Sequence, residues 1–323
     1  MLTSWVADLI FLGAMRLLYD YRELDRTTGP ARAVTIGNFD GVHVGHRAVL
    51  EHAVEISGAR GLELAVLTFE PHPAELFRAG EVKLRLVEPE RKVELLSECG
   101  VDLVLAQKFD EQFAGLSAES FAGDVLVRAL RARLVIVGEN FRFGQGRVGD
   151  VSMLRDLGRR LDFEVRSEPL VGVAGAGVSS SRIRELLSAG EVSEAARLLG
   201  RLHEVSGTVV RGKGDAGNAL GFPTVNLDDV SVLTPGKGIY AAHCDVEGQT
   251  LKCAAYIGDR PTLGHGATLE AHLMDFDGDL YDRRVRLRFV ERLRGEQKFD
   301  GMDALRQQVG RDIARARQIL EGG

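Results

Sequence analysis

Residues 33–46, AVTIGNFDGVHVGH, constrain what this chain can become more than any other stretch. Ala33, Val34, Thr35 and Ile36 read as a short buried strand, and Gly37 breaks it. A tight turn carrying Asn38, Phe39, Asp40 and Gly41 follows, and HVGH (43–46) runs into a helical pattern over 46–59. Strand, glycine turn and helix N-terminus in that order make an anion site. Free N–H groups and the positive end of the helix dipole converge there. His43 and His46 are three residues apart and share a face at a helix start. Two imidazoles can donate hydrogen bonds to phosphate oxygens that gain charge during transfer. Gly45 between them lets a nucleotide approach the backbone. Two surface histidines in a glycine turn would be the plainer explanation. The pairing of both within a strand-to-helix turn favours a nucleotide site.

The chain of 323 residues is long enough for two domains with a core in each. Its net charge of −6, with both signs interspersed, argues against a dedicated nucleic-acid binder, which carries a basic face. Cys99, Cys244 and Cys253 form no CxxC pair and read as thiols of a reducing compartment. Residues 1–14 are apolar but too short to span a bilayer, and they lack the basic start of a secretory signal. They read as an N-terminal extension, and the chain as cytoplasmic with no membrane partner.

From residue 15 onward, strand-like and helix-like runs alternate. Strands are expected at 33–37, 62–70, 101–109, 133–139 and 163–171, with helices at 46–59, 89–99, 117–130 and 150–161. That alternation implies a parallel sheet covered on both faces, with ligands bound beyond the carboxyl ends of its strands. The second strand ends in TFEPHPAELF, where Pro71 and Pro73 predict an extended, rigid loop carrying His72. The fourth ends in GENFRFGQG, with Asn140 and Arg142 beside Phe141 and Phe143. Those aromatics could stack on a flat ring or plug the loop into the core. In GVSSSRIRELL, three serines open a helix and could cap it or bind phosphate, with Arg184 one turn in.

GNFDGVHVGH resembles the HxGH signature of nucleotidyltransferases in the form carried by prokaryotic FAD synthetases, the bifunctional riboflavin kinase/FMN adenylyltransferases. SSSRIR resembles their SSTxxR motif, with Ser181 in place of threonine. The resemblance implies a Rossmann-like nucleotidyltransferase domain in which the phosphate of FMN attacks the α-phosphorus of ATP. It implies catalytic roles for His43 and His46. Gly37, Phe39, Asp40, Gly45, Asn140, Ser180, Ser181 and Arg184 become nucleotide contacts, and Phe69, Pro71 and Phe143 flavin contacts.

Residues 181–200 read as two short helices split at Ala189-Gly190. From His203 the pattern changes to six β-branched runs separated by glycine turns, which predict a small closed or Greek-key barrel. A final amphipathic run over 303–320 predicts a C-terminal helix. The domain boundary is expected near residue 187, giving 15–187 and 188–323.

Three features of the second half carry chemistry. Thr224 and Asn226 in RGKGDAGNALGFPTVNL lie two apart, so on an extended strand they face one side. A hydroxyl and an amide there can ligate Mg²⁺ and bond phosphate, or form a structural network. Glu270 interrupts an apolar strand. Arg294 and Glu296 precede the last helix as a plausible ion-pair hinge.

GFPTVNL resembles the GFPTAN motif of riboflavin kinases, and YIGDRPTLG…LEAHLMDFDGDLY the stretch holding their catalytic glutamate. The resemblance implies Thr224 and Asn226 as contacts for Mg²⁺–ATP, Lys213 as a nucleotide contact, Glu270 as general base and Arg294 at the flavin border. Asn218 stands where arginine is usual, and Leu263 where phenylalanine is common. The expected activity is therefore double: riboflavin plus ATP to FMN, then FMN plus ATP to FAD. Riboflavin, FMN and ATP are the small-molecule partners, and the sequence is silent on oligomeric state. Two alternatives remain open: one active half with a degenerate kinase, or a flavin-binding regulatory protein without turnover.

Overall fold

A computed structural model describes residues 15–24, 28–77, 85–168, 172–173, 176–212, 221–259 and 267–322. The 1–14 extension, Lys213, Asn218 and Leu263 lie outside the described residues. The chain forms two compact units: Met1–Val82 with Pro89–Val178, and Lys83–Glu88 with Ser179–Gly323. The division after Val178 precedes the boundary expected at 187.

The first unit is a six-stranded sheet in the order β1-β4-β3-β2-β5-β6. Its strands are β1 (Arg16–Leu18), β2 (Arg32–Ile36), β3 (Glu63–Glu70), β4 (Leu103–Lys108), β5 (Ala132–Gly138) and β6 (Glu164–Glu168). Every neighbouring pair is parallel. All five residues of β2 are buried, as a strand covered on both faces requires. Five of the six strands follow the sequence expectation. β1 does not, because its three residues carry no periodicity, and only its pairing on the free side of β4 makes it a strand.

Helix α1 (Val44–Ala59) follows β2, α2 (Pro73–Phe77) follows β3, α3 (Pro89–Glu98) precedes β4, and α4 (Glu111–Ala114) and α5 (Ala118–Ser120) follow it. Pro73 starts a short helix instead of extending the loop, a position where its missing N–H costs nothing. The helix expected over 117–130 begins at Ser117, whose side chain accepts from Ser120 N, and continues as a π-helix, Phe121–Ala129. Its buried residues are Phe121, Ala122, Val125, Leu126 and Ala129. They recur every four positions, a spacing wider than that of an ordinary α-helix. α6 (Val151–Leu161) is capped by Asp150, whose carboxylate accepts from Met153 N at 2.9 Å. The strand order places the topological switch between β2 and β5. From β2 the chain fills the sheet toward β3 and β4, then returns to the other side. Such a switch opens a crevice beyond the strands' carboxyl ends, and residues 37–46 stand there.

A small antiparallel pair, β7 (Gly172–Val173) and β8 (Ala176–Gly177), follows β6. The second unit opens with α7 (Ser180–Ala189) and α8 (Val192–Leu199), split at Gly190 as expected, where φ is +82°. Six antiparallel strands close a barrel in the order β10-β13-β12-β11-β14-β9. They are β9 (His203–Val210), β10 (Val225–Asp228), β11 (Gly238–Val246), β12 (Gln249–Asp259), β13 (Ala267–Leu273) and β14 (Arg284–Arg294). Alternate residues point inward, among them Val205, Leu227, Cys244, Ile257, Leu269 and Leu287, all buried. Tyr240 and Phe289 meet edge-on at 5.4 Å. Burial pushes the Cys244 thiol up to about 12, so it stays an inert, protonated core group. Helix α9 (Met302–Glu321) packs Ala316 and Leu320 against Ala241 and Met274. Leu86 and Val87, from the segment between β3 and α3, are buried in this unit. Leu233 N donates to Arg85 O at 2.8 Å, and Ser231 Oγ and Arg284 both donate to Glu88.

His203 gives this unit an acid sensitivity. It is fully buried, and its Nε2 bonds to Leu233 O at 2.7 Å, which makes Nε2 the protonated nitrogen. Burial lowers its pKa to about 4. An unfolded histidine titrates near 6.5, so the unfolded chain binds more protons below that pH. Stability from this group is full above about 6.5 and falls as pH drops toward 4, by an amount on the order of 3 kcal/mol. Thermal unfolding of His203→Gln should accordingly lose less between pH 6.5 and 4 than wild type does. Parallel pH profiles would contradict this.

Candidate functional site

The first candidate site is built by the turn after β2. Phe39 and Val42 hold positive φ values of 48° and 37°, and Gly41 one of 84°. Phe39 and Val42 are nonetheless buried, so packing holds the turn in this shape. His43 is the N-cap of α1, and its Nδ1 accepts the His46 N–H at 3.2 Å. That bond assigns the remaining proton of neutral His43 to Nε2. The His43 and His46 rings stack at 3.6 Å and 12°, and Phe39 tilts against His46 at 5.2 Å.

A Cβ on Gly45 would come within 3.2 Å of the His43 ring. Gly45 therefore makes room for the imidazole stack, a role its sequence context did not disclose. Burial, and then the neighbouring His43, push the His46 pKa well below the usual histidine value. His46 Nδ1 is buried with no hydrogen-bond partner. A buried polar atom without a partner is costly, and here it marks a place that a ligand group can satisfy.

The neighbouring strands end at the same edge. Phe69 and Pro71 lie at the end of β3, and Asn140 is exposed just after β5. Phe143 is only 5% exposed and lies against Gly149, where a Cβ would approach its ring to 2.7 Å. Of the two aromatics it is the plug. Phe141, partly buried, stacks on it at 5.6 Å and 11°. Asp40 is buried within the turn.

Ser180, Ser181 and Arg184 stand in the first turns of α7, in the second unit. The cap is Ser179, whose side chain accepts from Arg182 N at 3.2 Å, so Ser181 is exposed and does not cap the helix. Ile183, Leu186 and Leu187 bury the other face of α7. Arg292 of β14 donates to Ala189 O at 3.2 Å and to Lys237 O at 2.5 Å, which holds the helix's carboxyl end.

The second candidate site lies on the outer face of the barrel. Across the β10–β13 ladder Asn226 pairs with Glu270, and across β12–β13 Tyr256 pairs with Glu270. Leu269 and Ala271 point inward, so Glu270 points out. Burial raises the Glu270 pKa, and a hydrogen bond from Thr224 partly opposes that. Thr224, Asn226 and Glu270 are thus gathered as a group. A Cβ on Gly212 would meet Asn226 Nδ2 at 2.6 Å, so the bare glycine leaves the amide its space. Hydroxyl, amide and carboxylate oxygens are hard donors of the kind magnesium prefers. Among the described residues no cluster of three or more His, Cys, Asp or Glu could hold a metal.

Tyr256 and Glu296 were not singled out together by sequence, yet the phenol donates to Glu296 Oε1 at 2.9 Å. Arg294 is committed elsewhere. It grips Asp312 of α9 through Nε and NH2 at 2.7–3.1 Å, and its guanidinium lies 5.7 Å from the Phe299 ring. Gln308 adds a bond to Asp312 at 2.8 Å. The ion-pair hinge expected of Arg294 and Glu296 is instead a clamp from Arg294 to α9.

Comparison with known proteins agrees in both halves. The FAD synthetase family model matches residues 26–182, and the riboflavin kinase model matches 199–320. A bifunctional riboflavin kinase/FMN adenylyltransferase of Escherichia coli K12 is 39% identical over 308 residues, 95% of this chain and 98% of that relative. The chain belongs to this family. A bifunctional relative from Pseudomonas fluorescens is 40% identical over 287 residues, 88% of this chain and 92% of its own. A crystal structure described as a macrolide-efflux protein from Streptococcus pneumoniae shares the fold. Its TM-score is 0.82 at 27% identity, over 93% of this chain and 97% of that one. Among the described residues no helix is long and apolar enough to cross a membrane. The FAD synthetase match runs through Arg182, into the first turn of α7, although that helix packs with the second unit.

The clamp yields a stability prediction. Asp312→Ala would leave Arg294 largely buried without its partner, which typically costs 3–5 kcal/mol. Urea unfolding should detect a loss of about 3 kcal/mol, and a loss under about 0.5 kcal/mol would show the pair to be no more than a surface contact.

Proposed function

We propose that this chain phosphorylates riboflavin to FMN with ATP and adenylylates FMN to FAD with release of pyrophosphate, each reaction in its own half. What carries the reading is that each half has its own phosphate-handling group. These are the stacked His43–His46 pair at the switch point and the Thr224–Asn226–Glu270 group on the barrel. The functional adenylyltransferase half is taken to extend to residue 187, so that it includes the SSSRIR motif.

In adenylyl transfer an FMN phosphate oxygen forms a bond to the α-phosphorus of ATP as the bond to pyrophosphate breaks. No covalent enzyme intermediate is needed. Burial holds His46 neutral, and both imidazoles act as hydrogen-bond donors to oxygens that gain charge. His43 offers Nε2–H, because Nδ1 is occupied by the α1 cap. Ser180, Ser181 and Arg184 hold phosphates, and Gly37, Phe39, Asp40, Gly45 and Asn140 shape the nucleotide pocket. Phe69, Pro71 and the Phe141–Phe143 stack border the flavin.

In the kinase half Glu270 accepts the proton of the ribityl 5′-hydroxyl as that oxygen takes the γ-phosphoryl group and ADP leaves. Its raised pKa brings it closer to neutrality, where a base is most useful. Thr224 and Asn226 would hold Mg²⁺ with ATP, which supplies charge neutralisation on the phosphates when bound. Lys213 is a further nucleotide contact. Arg294 acts on the flavin border indirectly, by fixing α9.

Purified protein incubated with riboflavin, ATP and Mg²⁺ should yield FAD by chromatography. FMN alone would mean the first half is idle, and no product would favour a flavin binder. Starting instead from FMN tests the first half by itself.

His46→Ala should remove most conversion of FMN to FAD and leave riboflavin phosphorylation near wild type. Equal loss of both activities in a folded protein would overturn the two-site assignment. Glu270→Gln keeps the shape but cannot accept a proton, so kinase turnover should fall about 10²-fold or more. The KM for riboflavin should change little, and FMN adenylylation not at all. Near-normal kinase turnover would make Glu270 a bystander.

A further inference from the structure

Helix α3 carries a charge that neither reaction uses. Lys92 is 7% exposed and lies on the buried face of α3 with Val93, Leu95 and Leu96. Lysines are almost never buried without a partner, and an ammonium removed from water must be given oxygens. Lys92 meets three of them at the carboxyl end of β3. Its Nζ lies 3.4 Å from Thr68 Oγ1, 3.5 Å from Phe69 O and 3.5 Å from Glu70 Oε2.

Thr68 is completely buried, and its hydroxyl donates to Asn38 O at 3.0 Å. A hydroxyl has one proton to give. With that proton on Asn38, a lone pair of Thr68 Oγ1 is left to face the ammonium. Each donor in such a chain polarises the next. Asn38 immediately precedes Phe39, where the positive-φ turn begins that delivers His43 and His46. Gly37 N, bonded to Leu67 O at 3.1 Å, anchors the same turn from the β3 backbone.

We propose that Lys92 is a positioning residue for adenylyl transfer. Through Thr68 it fixes the Asn38 carbonyl, and with it the turn that sets the two imidazoles. This rests on the assignment of adenylyl transfer to the His43–His46 loop. Lys92 acts through Thr68, while its contacts to Phe69 O and Glu70 Oε2 hold its ammonium at the same end of β3. A lysine that only fills space would make a different mark. Its replacement by an apolar side chain of similar length would leave turnover alone and change at most the stability. Misplacement of a catalytic group lowers turnover even when substrate still binds.

The test uses the full chain with both reactions followed in each variant: Lys92→Met, Thr68→Val, Thr68→Ser, the Lys92→Met/Thr68→Val double, and His46→Ala alongside. Lys92→Met and Thr68→Val should each lower kcat for FMN adenylylation about 10- to 100-fold, with the KM for ATP within about twofold. Thr68→Ser keeps the hydroxyl and should keep most of the activity. The double variant should be little worse than the poorer single, because both cuts sever one chain. Riboflavin phosphorylation should stay at the wild-type rate in all four.

Wild-type adenylylation by Lys92→Met overturns the proposal. So does an effect on KM alone, equal damage from Thr68→Ser and Thr68→Val, or losses that multiply in the double. Should Lys92→Met fail to fold, the Thr68→Val and Thr68→Ser pair, which leaves the ammonium in place, decides the question. Retention of activity by His46→Ala would instead overturn the assignment of the loop itself.

Discussion

The hydrogen bond from His46 N to His43 Nδ1 is the contact on which the geometry of the first candidate site depends. It satisfies one of the orphan N–H groups at the start of α1, as a serine or aspartate cap would. The capping group here is an imidazole, so the same bond also settles which nitrogen carries the proton. It orients the ring against its neighbour and starts the helix at the topological switch point. A helix start, a tautomer and a ring stack thus share one interaction. Around it the sheet supplies only what a helix N-terminus needs to stand at a crevice: buried parallel strands, a break at Gly37 and a turn held by packed Phe39 and Val42.

The barrel solves a different problem. Its interior is filled by side chains such as Tyr240 and Phe289, so no substrate can enter it. The second candidate site therefore lies on the outward positions of three adjacent strands, where register sets Asn226, Glu270 and Tyr256 side by side. Glu270 gains partial burial there without entering the core. That raises its pKa while Thr224 keeps a hydrogen bond on it.

Much of this was legible in the sequence because it is periodic or motif-borne. Alternating strands and helices gave the parallel sheet, and glycine-punctuated β-branched runs gave the barrel. The two-residue spacing of Thr224 and Asn226 gave them one face, and only the β10–β13 register brought Glu270 beside it. What stayed hidden depends on tertiary contacts. β1 exists only because β4 has a free edge. Phe143 could be read as plug or platform until Gly149 was seen beneath it. Arg294 looked available until Asp312, eighteen residues on, closed on it. The compact units divide after Val178 and not near 187 because α7 carries a motif of one half and the packing of the other. Lys92 left a trace that could have been followed: a lysine three and four residues before Leu95 and Leu96 lies on an apolar stripe, where an ordinary solvated lysine has no place.

The alternation of the barrel strands has an evolutionary side. Along β13, Leu269, Ala271 and Leu273 turn into the core, while Thr268, Glu270 and His272 turn outward. The two sets interleave along one strand but do not share neighbours in space. Drift in the core can therefore be repaired in the core, and the outer face can be tuned to a different acceptor without disturbing the barrel. A scaffold divided in this way separates the side chains that hold its shape from those free to meet a ligand.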